Sequence, residues 1–255
     1  MEFIDTHAHL YVNQFEADRN EMIKRAKDNN ITKVLLPNID KDSAENLLEL
    51  YFSDTTFFAP MMGIHPCSIN ENYKTQLKEI EPYFLRQKMA SVGEIGLDYY
   101  WDKTKIKEQK AAFRHQINWA KDMNLPIAVH CRDAFDDVLS ILDEEQNGNL
   151  KGVLHCFTGN VEQAKHLIDL GFYMGIGGVV TYKNSGLDKT LADIDVKHLI
   201  LETDAPYLSP TPYRGKRNES AYLIYIAEKL AEVKGIEIEE LAEKTTKNAV
   251  ELFSL

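Results

Sequence analysis

Cysteine and long apolar runs are both scarce in this sequence. Three cysteines in 255 residues are an odd number, and they are too few to cross-link a chain of this length. We therefore expect a reducing compartment and a cytoplasmic location. The first residues lack a basic region followed by an apolar one, and no later stretch approaches the roughly 20 apolar residues of a membrane span. We expect neither an ordinary export signal nor membrane insertion.

No feature of the sequence divides the chain into parts. A linker rich in proline, glycine and serine, a low-complexity tract and an internal repeat are all absent, so we predict one domain over residues 1–255. Hydrophobic residues make up 44% and charged residues 27%, which is typical of a globular protein. Disordered, collagen-like and disulfide-scaffold proteins are thereby excluded.

Basic residues are outnumbered by acidic ones. The chain has 29 lysines and arginines against 40 aspartates and glutamates, a formal net charge of -11. A surface of this sign repels a long polyanion, so a nucleic-acid substrate requires positive charge concentrated at its site.

Eight short apolar runs recur along the chain, and amphipathic segments lie between them. The runs do not alternate apolar with polar residues, a pattern typical of parallel strands buried on both faces. They occupy residues 3–4, 34–36, 57–62, 90–92, 127–129, 153–154, 172–174 and 199–201. Strands alternating with helices allow an open doubly wound sheet or a closed barrel. The strand number favours a (β/α)8 TIM barrel with an outer ring of helices.

Histidines and acids follow several of these runs, at the strand ends where such a barrel carries its chemistry. His7 and His9 are one residue apart, so both imidazoles project to the same face of an extended strand, where they can hold one metal ion. Alone, this pair is better explained as two polar residues at the end of a strand. Four further candidates, each at a different strand end, make a metal centre the better interpretation: they are Glu94, His130, His155 and Asp204.

Six candidate ligands are too many for one catalytic ion, which commonly takes three protein ligands and keeps a position open for water. We therefore expect two ions. The expected division places His7, His9 and Asp204 around one ion and His130 with His155 around the other. Glu94, which has two oxygens, would bridge them, and such a pair can activate a water and polarise a phosphoryl or carbonyl oxygen.

Motifs in the same order along the whole chain resemble those of the TatD family of metal-dependent deoxyribonucleases. They are DTHAHL (5–10), GIHP (63–66), GEIGLDY (93–99), HCRDA (130–134), HCFTG (155–159), ETDAPYL (202–208), RGKRN (214–218) and NAVELF (248–253). The resemblance implies a (β/α)8 metallohydrolase that cleaves phosphodiester bonds in DNA, with divalent cations at the six candidate ligands. It suggests Mg²⁺, whereas the mixed imidazole and carboxylate ligands also suit Zn²⁺ or Mn²⁺. Cys67, Cys131 and Ser220 depart from common residues of the family.

Four residues are candidates for binding substrate. His65 either orients a phosphate or protonates the leaving group, or else it has a structural role in its loop. Arg132 either binds phosphate or pairs with a neighbouring aspartate, Asp133 or Asp136. Arg214 and Lys216 follow the eighth strand, in a region that often binds phosphate in this fold.

The remaining residues near the motifs have interpretations of their own. Cys131 and Cys156 each neighbour a ligand, so strand alternation predicts that they point toward the helices as packing groups. Tyr99, Tyr100 and Trp101 are interpreted as a cover of the barrel rim, with stacking on a nucleobase as the alternative.

These observations predict a deoxyribonuclease, exonuclease-like on single strands or strand ends, in which Glu94 and Asp204 are catalytic. The expected partner is short or single-stranded DNA, because two divalent ions make the mouth of the barrel locally positive while the rest of the surface repels a polyanion. The first alternative is an amide, lactone or carboxylic ester hydrolase of the same architecture. The second alternative is a metal-stabilised binding protein without turnover. The oligomeric state stays open.

Overall fold

Eight parallel strands form the centre of the molecule. The computed structural model describes all 255 residues. The strands are β1 (Phe3–Asp5), β2 (Ile31–Pro37), β3 (Phe58–Met62), β4 (Ser91–Asp98), β5 (Ile127–Arg132), β6 (Gly152–Leu154), β7 (Phe172–Ile176) and β8 (Leu199–Leu201). Each of the eight predicted apolar runs overlaps one of these strands.

Nine helices surround the strands. They are α1 (Arg19–Asp28), α2 (Lys41–Ser53), α3 (Tyr73–Ile80), α4 (Ile106–Met123), α5 (Phe135–Glu145), α6 (Val161–Asp169), α7 (Leu187–Ala192), α8 (Leu223–Lys234) and α9 (Ile238–Phe253). None of them combines the length and the apolar character that crossing a membrane would require.

The strands pair in chain order, each parallel to the next. β8 returns beside β1, where the Thr6 amide donates to the Leu201 carbonyl at 3.0 Å and the His9 amide donates to the Ala205 carbonyl at 2.7 Å. The sheet is therefore a nearly closed barrel with helices around it. The predicted (β/α)8 class is confirmed.

Local signals in the sequence start and end several helices. α2 begins with a capping box, in which the Asp40 carboxylate accepts from the Ser43 amide and the Ser43 hydroxyl accepts from the Asp40 amide. α8 ends at Gly235, whose φ of 62° lies in the left-handed region that glycine adopts without strain. Such ends fix where the chain turns back toward the next strand.

The barrel interior is apolar at one end and polar at the other. A cluster of buried side chains includes Ala128, Val153 and Ile200 and packs against Leu252 and Phe253 of α9, which covers the amino-terminal end of the strands. Two residues further along the chain come His130, near the end of β5, and His155 and Glu202, each one residue past the end of its strand. The polar residues therefore meet only at the carboxyl end.

Candidate metal centre

The six predicted ligands converge at the carboxyl end of the barrel. They come from five places in the chain: His7 and His9 follow β1, Glu94 lies in β4, His130 lies in β5, His155 follows β6 and Asp204 follows β8. All of them except His7 border one cavity of about 740 Å³. Backbone bonds hold the first and last segments together, since the Asp204 amide donates to the His7 carbonyl at 2.9 Å.

The two carboxylate oxygens of Glu94 face different histidines. Oε2 lies 3.1 Å from His7 Nε2 and 3.4 Å from His9 Nε2. Oε1 lies 2.9 Å from His130 Nδ1 and 2.8 Å from His155 Nε2. Asp204 Oδ1 belongs to the first set, at 3.6 Å from His9 Nε2. Glu94 therefore faces His7 and His9 with one oxygen and His130 and His155 with the other, while His155 also lies close to His7 and Asp204.

The donor set fits divalent cations. Ligand atoms lie within 4.8 Å of one another in three groups: His7 with His9 and Glu94, His65 with Glu94 and His130, and His7 with His155 and Asp204. The rings of His7 and His155 stack with centroids 3.9 Å apart. The Nδ1 atoms of both rings are buried without a hydrogen-bond partner. Imidazoles and carboxylates gathered out of water in this way are the ligands that Zn²⁺ and Mn²⁺ bind.

His65 joins the second set. Its Nε2 lies 3.2 Å from His130 Nδ1 and 3.4 Å from Glu94 Oε1. Its Nδ1 accepts the Cys67 amide at 3.0 Å, which caps the short turn that follows β3. One ring nitrogen therefore serves the loop and the other faces the ligands, so the two roles considered for His65 are compatible.

Asp98 holds the ring of His130 from behind. Asp98 Oδ2 lies 3.0 Å from His130 Nε2, while Oδ1 accepts the amides of Tyr100 at 2.9 Å and Trp101 at 3.2 Å. An N–H at His130 Nε2 leaves Nδ1 unprotonated toward Glu94 and the cavity. Asp98 has no role among the sequence-based predictions, although its position at the end of β4 was a usable signal.

Glu202 is a second buried acid that sequence reasoning did not use. Its carboxylate accepts the Cys156 amide and lies 3.4 Å from His155 Nδ1. Gly175 makes room for it, because a Cβ at that position would stand 2.2 Å from Glu202 Oε2. The signal available in the sequence was its spacing, two residues after Ile200 and two before Asp204.

Burial and close charges shift the pKa values of these groups. Burial raises the pKa of Asp204 to about 6. Burial, with the His155 imidazole, lowers the pKa of His7 to about 4. Burial also raises the pKa of Glu94, but the imidazoles around it, His155 first, outweigh this and lower it well below its ordinary range. Glu94 is therefore a carboxylate that stays ionised although it is buried.

The outward direction predicted for Cys156 is wrong. Cys156 borders the cavity, and its backbone has a φ of 47°. β6 ends at Leu154, so the alternation of a strand no longer applies two residues later. Cys131 packs against the hydrophobic core as expected and also borders the cavity.

Of the other predicted substrate residues, only Arg132 borders the cavity. It forms no ion pair with Asp133 or Asp136, and its guanidinium lies 3.7 Å from the ring centroid of Tyr100. Arg214 and Lys216 are not part of the cavity wall. Arg214 lies over the ring of Tyr182 at 4.0 Å, and Lys216 is exposed.

The chain is similar to known proteins over nearly its whole length. Residues 4–254 match the family model described as TatD related DNase. The chain is 40% identical to an uncharacterized metal-dependent hydrolase, YabD, of Bacillus subtilis, over 98% of each chain. It is 30% identical to the 3′-5′ ssDNA/RNA exonuclease TatD of Pantoea ananatis, over 98% of this chain and 99% of the relative. The crystal structure of YJJV, a TatD homolog from Escherichia coli, matches with a TM-score of 0.93 at 27% identity, over 99% of this chain and 98% of that one.

Proposed function

Because this chain belongs to the TatD-related DNase family, we propose that it is a metal-dependent deoxyribonuclease that removes nucleotides from single strands or strand ends. The name of the Pantoea relative, a 3′-5′ exonuclease of ssDNA and RNA, supports this substrate class. The observation that carries the proposal is the position of Glu94, whose two oxygens face two separate sets of imidazoles. One residue thereby serves two adjacent cation positions.

We assign His7, His9 and Asp204 to one position and His130 with His155 to the other, with Glu94 shared and His65 beside the second, from their distances to the two Glu94 oxygens and to Asp204. When bound, a pair of divalent ions lowers the pKa of water and polarises a phosphoryl oxygen. The chain's own residues fix these positions, since the Asp98 carboxylate orients His130 and the Glu202 carboxylate lies against His155.

Asp204 is the proposed proton acceptor. Both ligand carboxylates border the cavity, but the side chain of Asp204 is 13% exposed against 2% for Glu94, so Asp204 is the more accessible of the two to an attacking water. Arg132 is the proposed phosphate contact beside the ligands. Arg214 and Lys216 are proposed to contact phosphates further along the strand. We treat residues 1–255 as one domain, because one barrel supplies every residue of the site.

The experiment that tests this function is digestion of end-labelled DNA. Chelated protein is resupplied with Mg²⁺, Mn²⁺ or Zn²⁺, one at a time, and incubated with single- and double-stranded oligonucleotides labelled at either end. We expect at least one cation to restore stepwise shortening of the single strand. A chromogenic carboxylic ester and an amide, tested with the same cations, represent the alternative acyl substrates.

Glu94→Gln is the test variant, and Glu49→Gln, on the exposed face of α2, is its matched control. We expect Glu94→Gln to lower the rate by about a hundredfold or more and Glu49→Gln to leave it unchanged. If the acyl substrates are hydrolysed while the DNA stays intact, the chain is an acyl hydrolase and the proposed deoxyribonuclease function is wrong. A protein that binds cations and hydrolyses nothing would be a binding protein.

A further inference from the structure

Two aromatic side chains stand exposed beside the candidate metal centre. Trp101 is 70% exposed and Tyr100 is 53% exposed, whereas Trp119, the other tryptophan of the chain, is 7% exposed. Trp101 also borders the cavity that contains Glu94, His130 and Asp204. Side chains that remain so exposed are available to a ligand, so base stacking, the alternative considered for these residues, becomes the better interpretation of Trp101. Tyr99 differs, because it is half-buried and its hydroxyl donates to Asp137 at 2.7 Å.

The backbone under these aromatic residues is held firmly. Asp98 Oδ1 accepts the amides of Tyr100 and Trp101, and the other oxygen of the same carboxylate holds His130. The side chain of Gln109 in α4 bonds both the amide and the carbonyl of Asp98, at 2.9 and 3.0 Å. The indole is therefore carried on a segment whose position is fixed relative to the ligands.

A cation without a carboxylate partner lies next to the indole. The Arg132 guanidinium carbon is 3.7 Å from the ring centroid of Tyr100 and 5.4 Å from that of Trp101, and Arg132 makes no ion pair. Stacking on an aromatic ring keeps the guanidinium in place while its N–H donors remain free for an anion. A flat apolar surface and a free cation beside a hydrolytic site match the two parts of a nucleotide, its base and its phosphate.

We propose that Trp101 and Arg132 form a subsite for an unpaired nucleobase of the strand being cleaved, with Trp101 stacking on the base and Arg132 binding the adjoining phosphate. This inference rests on the proposed function and gives a physical reason for a single-strand preference. A base inside a duplex has both faces covered by its neighbours, whereas an unpaired base has a face available to an indole. Stacking accepts any base, so the subsite selects unpaired strands rather than sequences.

The test uses the fluorescence of Trp101 in the metal-loaded protein. Trp119→Phe makes Trp101 the only tryptophan. The probe is a short thymidylate oligonucleotide with phosphorothioate linkages, compared with an abasic oligomer of the same length and charge. We expect the thymidylate to quench the emission and the abasic oligomer to leave it unchanged. Equal quenching by both, or none by either, would overturn the subsite.

Binding by variants provides the second measurement. We expect Trp101→Ala to weaken thymidylate binding by about tenfold and abasic binding hardly at all, and Trp101→Phe to restore most of the difference. Phe52→Ala removes an aromatic ring of α2 that is 54% exposed and remote from the candidate site, and it should change neither. An equal loss for both oligomers would show that Trp101 does not bind the base. If the wild-type protein shortens labelled DNA while Trp101→Ala binds normally, the subsite fails and the proposed function stands. If no DNA is shortened, the proposed function fails.

Discussion

The Asp98 carboxylate takes part in three hydrogen bonds. One oxygen faces His130 Nε2, and the other accepts two backbone amides of the loop that carries Trp101. The orientation of a candidate ligand and the position of the exposed indole therefore depend on the same carboxylate. Substitutions here distinguish a positioning role from a merely structural one.

Asp98→Asn keeps two of these hydrogen bonds and removes the third. The amide oxygen of asparagine can still accept the two backbone amides, but its NH₂ group cannot accept an N–H from His130 Nε2. The variant then favours the tautomer with a proton on Nδ1, the atom that faces Glu94. We expect Mn²⁺ affinity to fall by about 10- to 100-fold with the fold unchanged, measured by calorimetric titration.

The matched control is Asp102→Asn in the same loop, where the carboxylate accepts from Thr104 of the same exposed turn and contacts none of the candidate ligands. Its Mn²⁺ affinity should equal that of the unaltered protein. Equal affinities for Asp98→Asn and Asp102→Asn would contradict a positioning role for Asp98.

The sequence was sufficient to predict that the six candidate ligands meet at one end of the barrel, but not everything around them. His7, His9 and Asp204 could be predicted because parallel strands bring their carboxyl ends together, whatever the loops do. The direction of Cys156 could not, because it depends on a positive φ just beyond the end of a strand. Alternation describes residues inside strands, and several site residues lie one or two positions past them.

At the scale of elements, an ionic cluster joins the loop after β8 to α1. Arg217 donates to the Asp18 carboxylate at 2.8 Å, and Arg25 of α1 donates to both Asp18 and Glu219. Arg217 therefore has a structural role, because its ion pair attaches the loop that contains Arg214 and Lys216 to α1. This tie gives a physical reason why those two residues do not reach the cavity wall.

Asp18→Asn tests this cluster through the pH dependence of stability. Arg217, and then Arg25, hold the pKa of Asp18 well below its ordinary range. The ionised carboxylate therefore stabilises the folded chain fully above its unfolded pKa of about 4, and this contribution is lost as the pH falls toward the lower folded value. We expect Asp18→Asn to lower Tm at about pH 7 and to differ less from the unaltered protein at about pH 3, measured by thermal unfolding.

The control for this prediction is Asp122→Asn, at an exposed position of α4 without an ion pair. Its Tm should follow that of the unaltered protein at both pH values. A difference between Asp18→Asn and the unaltered protein that stays constant, or grows, as the pH falls would show that the carboxylate is not stabilised by the arginines.

The strands were easier to predict from the sequence than the role of the last helix. A continuous apolar run such as 127–129 indicates a strand buried on both faces, and β5 contains it. α9 has an amphipathic pattern, which shows that it buries one face but does not identify the surface it covers. Its contact with the amino-terminal end of the barrel depends on long-range packing of Leu252 and Phe253.

At the scale of the whole molecule, stability and chemistry are located at opposite ends of the barrel. Phe253 is 2% exposed and packs on the apolar end. We expect Phe253→Ala to lower the free energy of unfolding by about 3 kcal/mol, because it leaves a cavity there. Chemical denaturation measures this loss, and Mn²⁺ affinity at the other end should be unchanged.

Phe52→Ala is the comparison for this substitution, since Phe52 is 54% exposed. Its effect on the free energy of unfolding should stay within about 0.5 kcal/mol. A Phe253→Ala variant as stable as Phe52→Ala, or one that loses Mn²⁺ in proportion to its stability, would contradict the separation of the two ends.

Cation binding should stabilise the whole chain. The buried carboxylates of Glu94, Asp98 and Glu202 lie close together at one end of the barrel, and cations relieve their mutual repulsion in the folded state only. We expect saturation with Mn²⁺ at about a hundredfold excess over Kd to raise Tm by about 5 to 10 °C relative to chelated protein. Scanning calorimetry measures the shift, which should be smaller in Glu94→Gln.

Glu94 also determines how the two proposed positions fill. One carboxylate faces both sets of imidazoles, so the first cation to bind would neutralise most of its charge. The second cation then meets a partly neutralised carboxylate and the field of its neighbour, so it binds more weakly. We therefore expect negatively cooperative loading, in which half-filled molecules predominate over a mixture of empty and full ones at limiting cation concentrations.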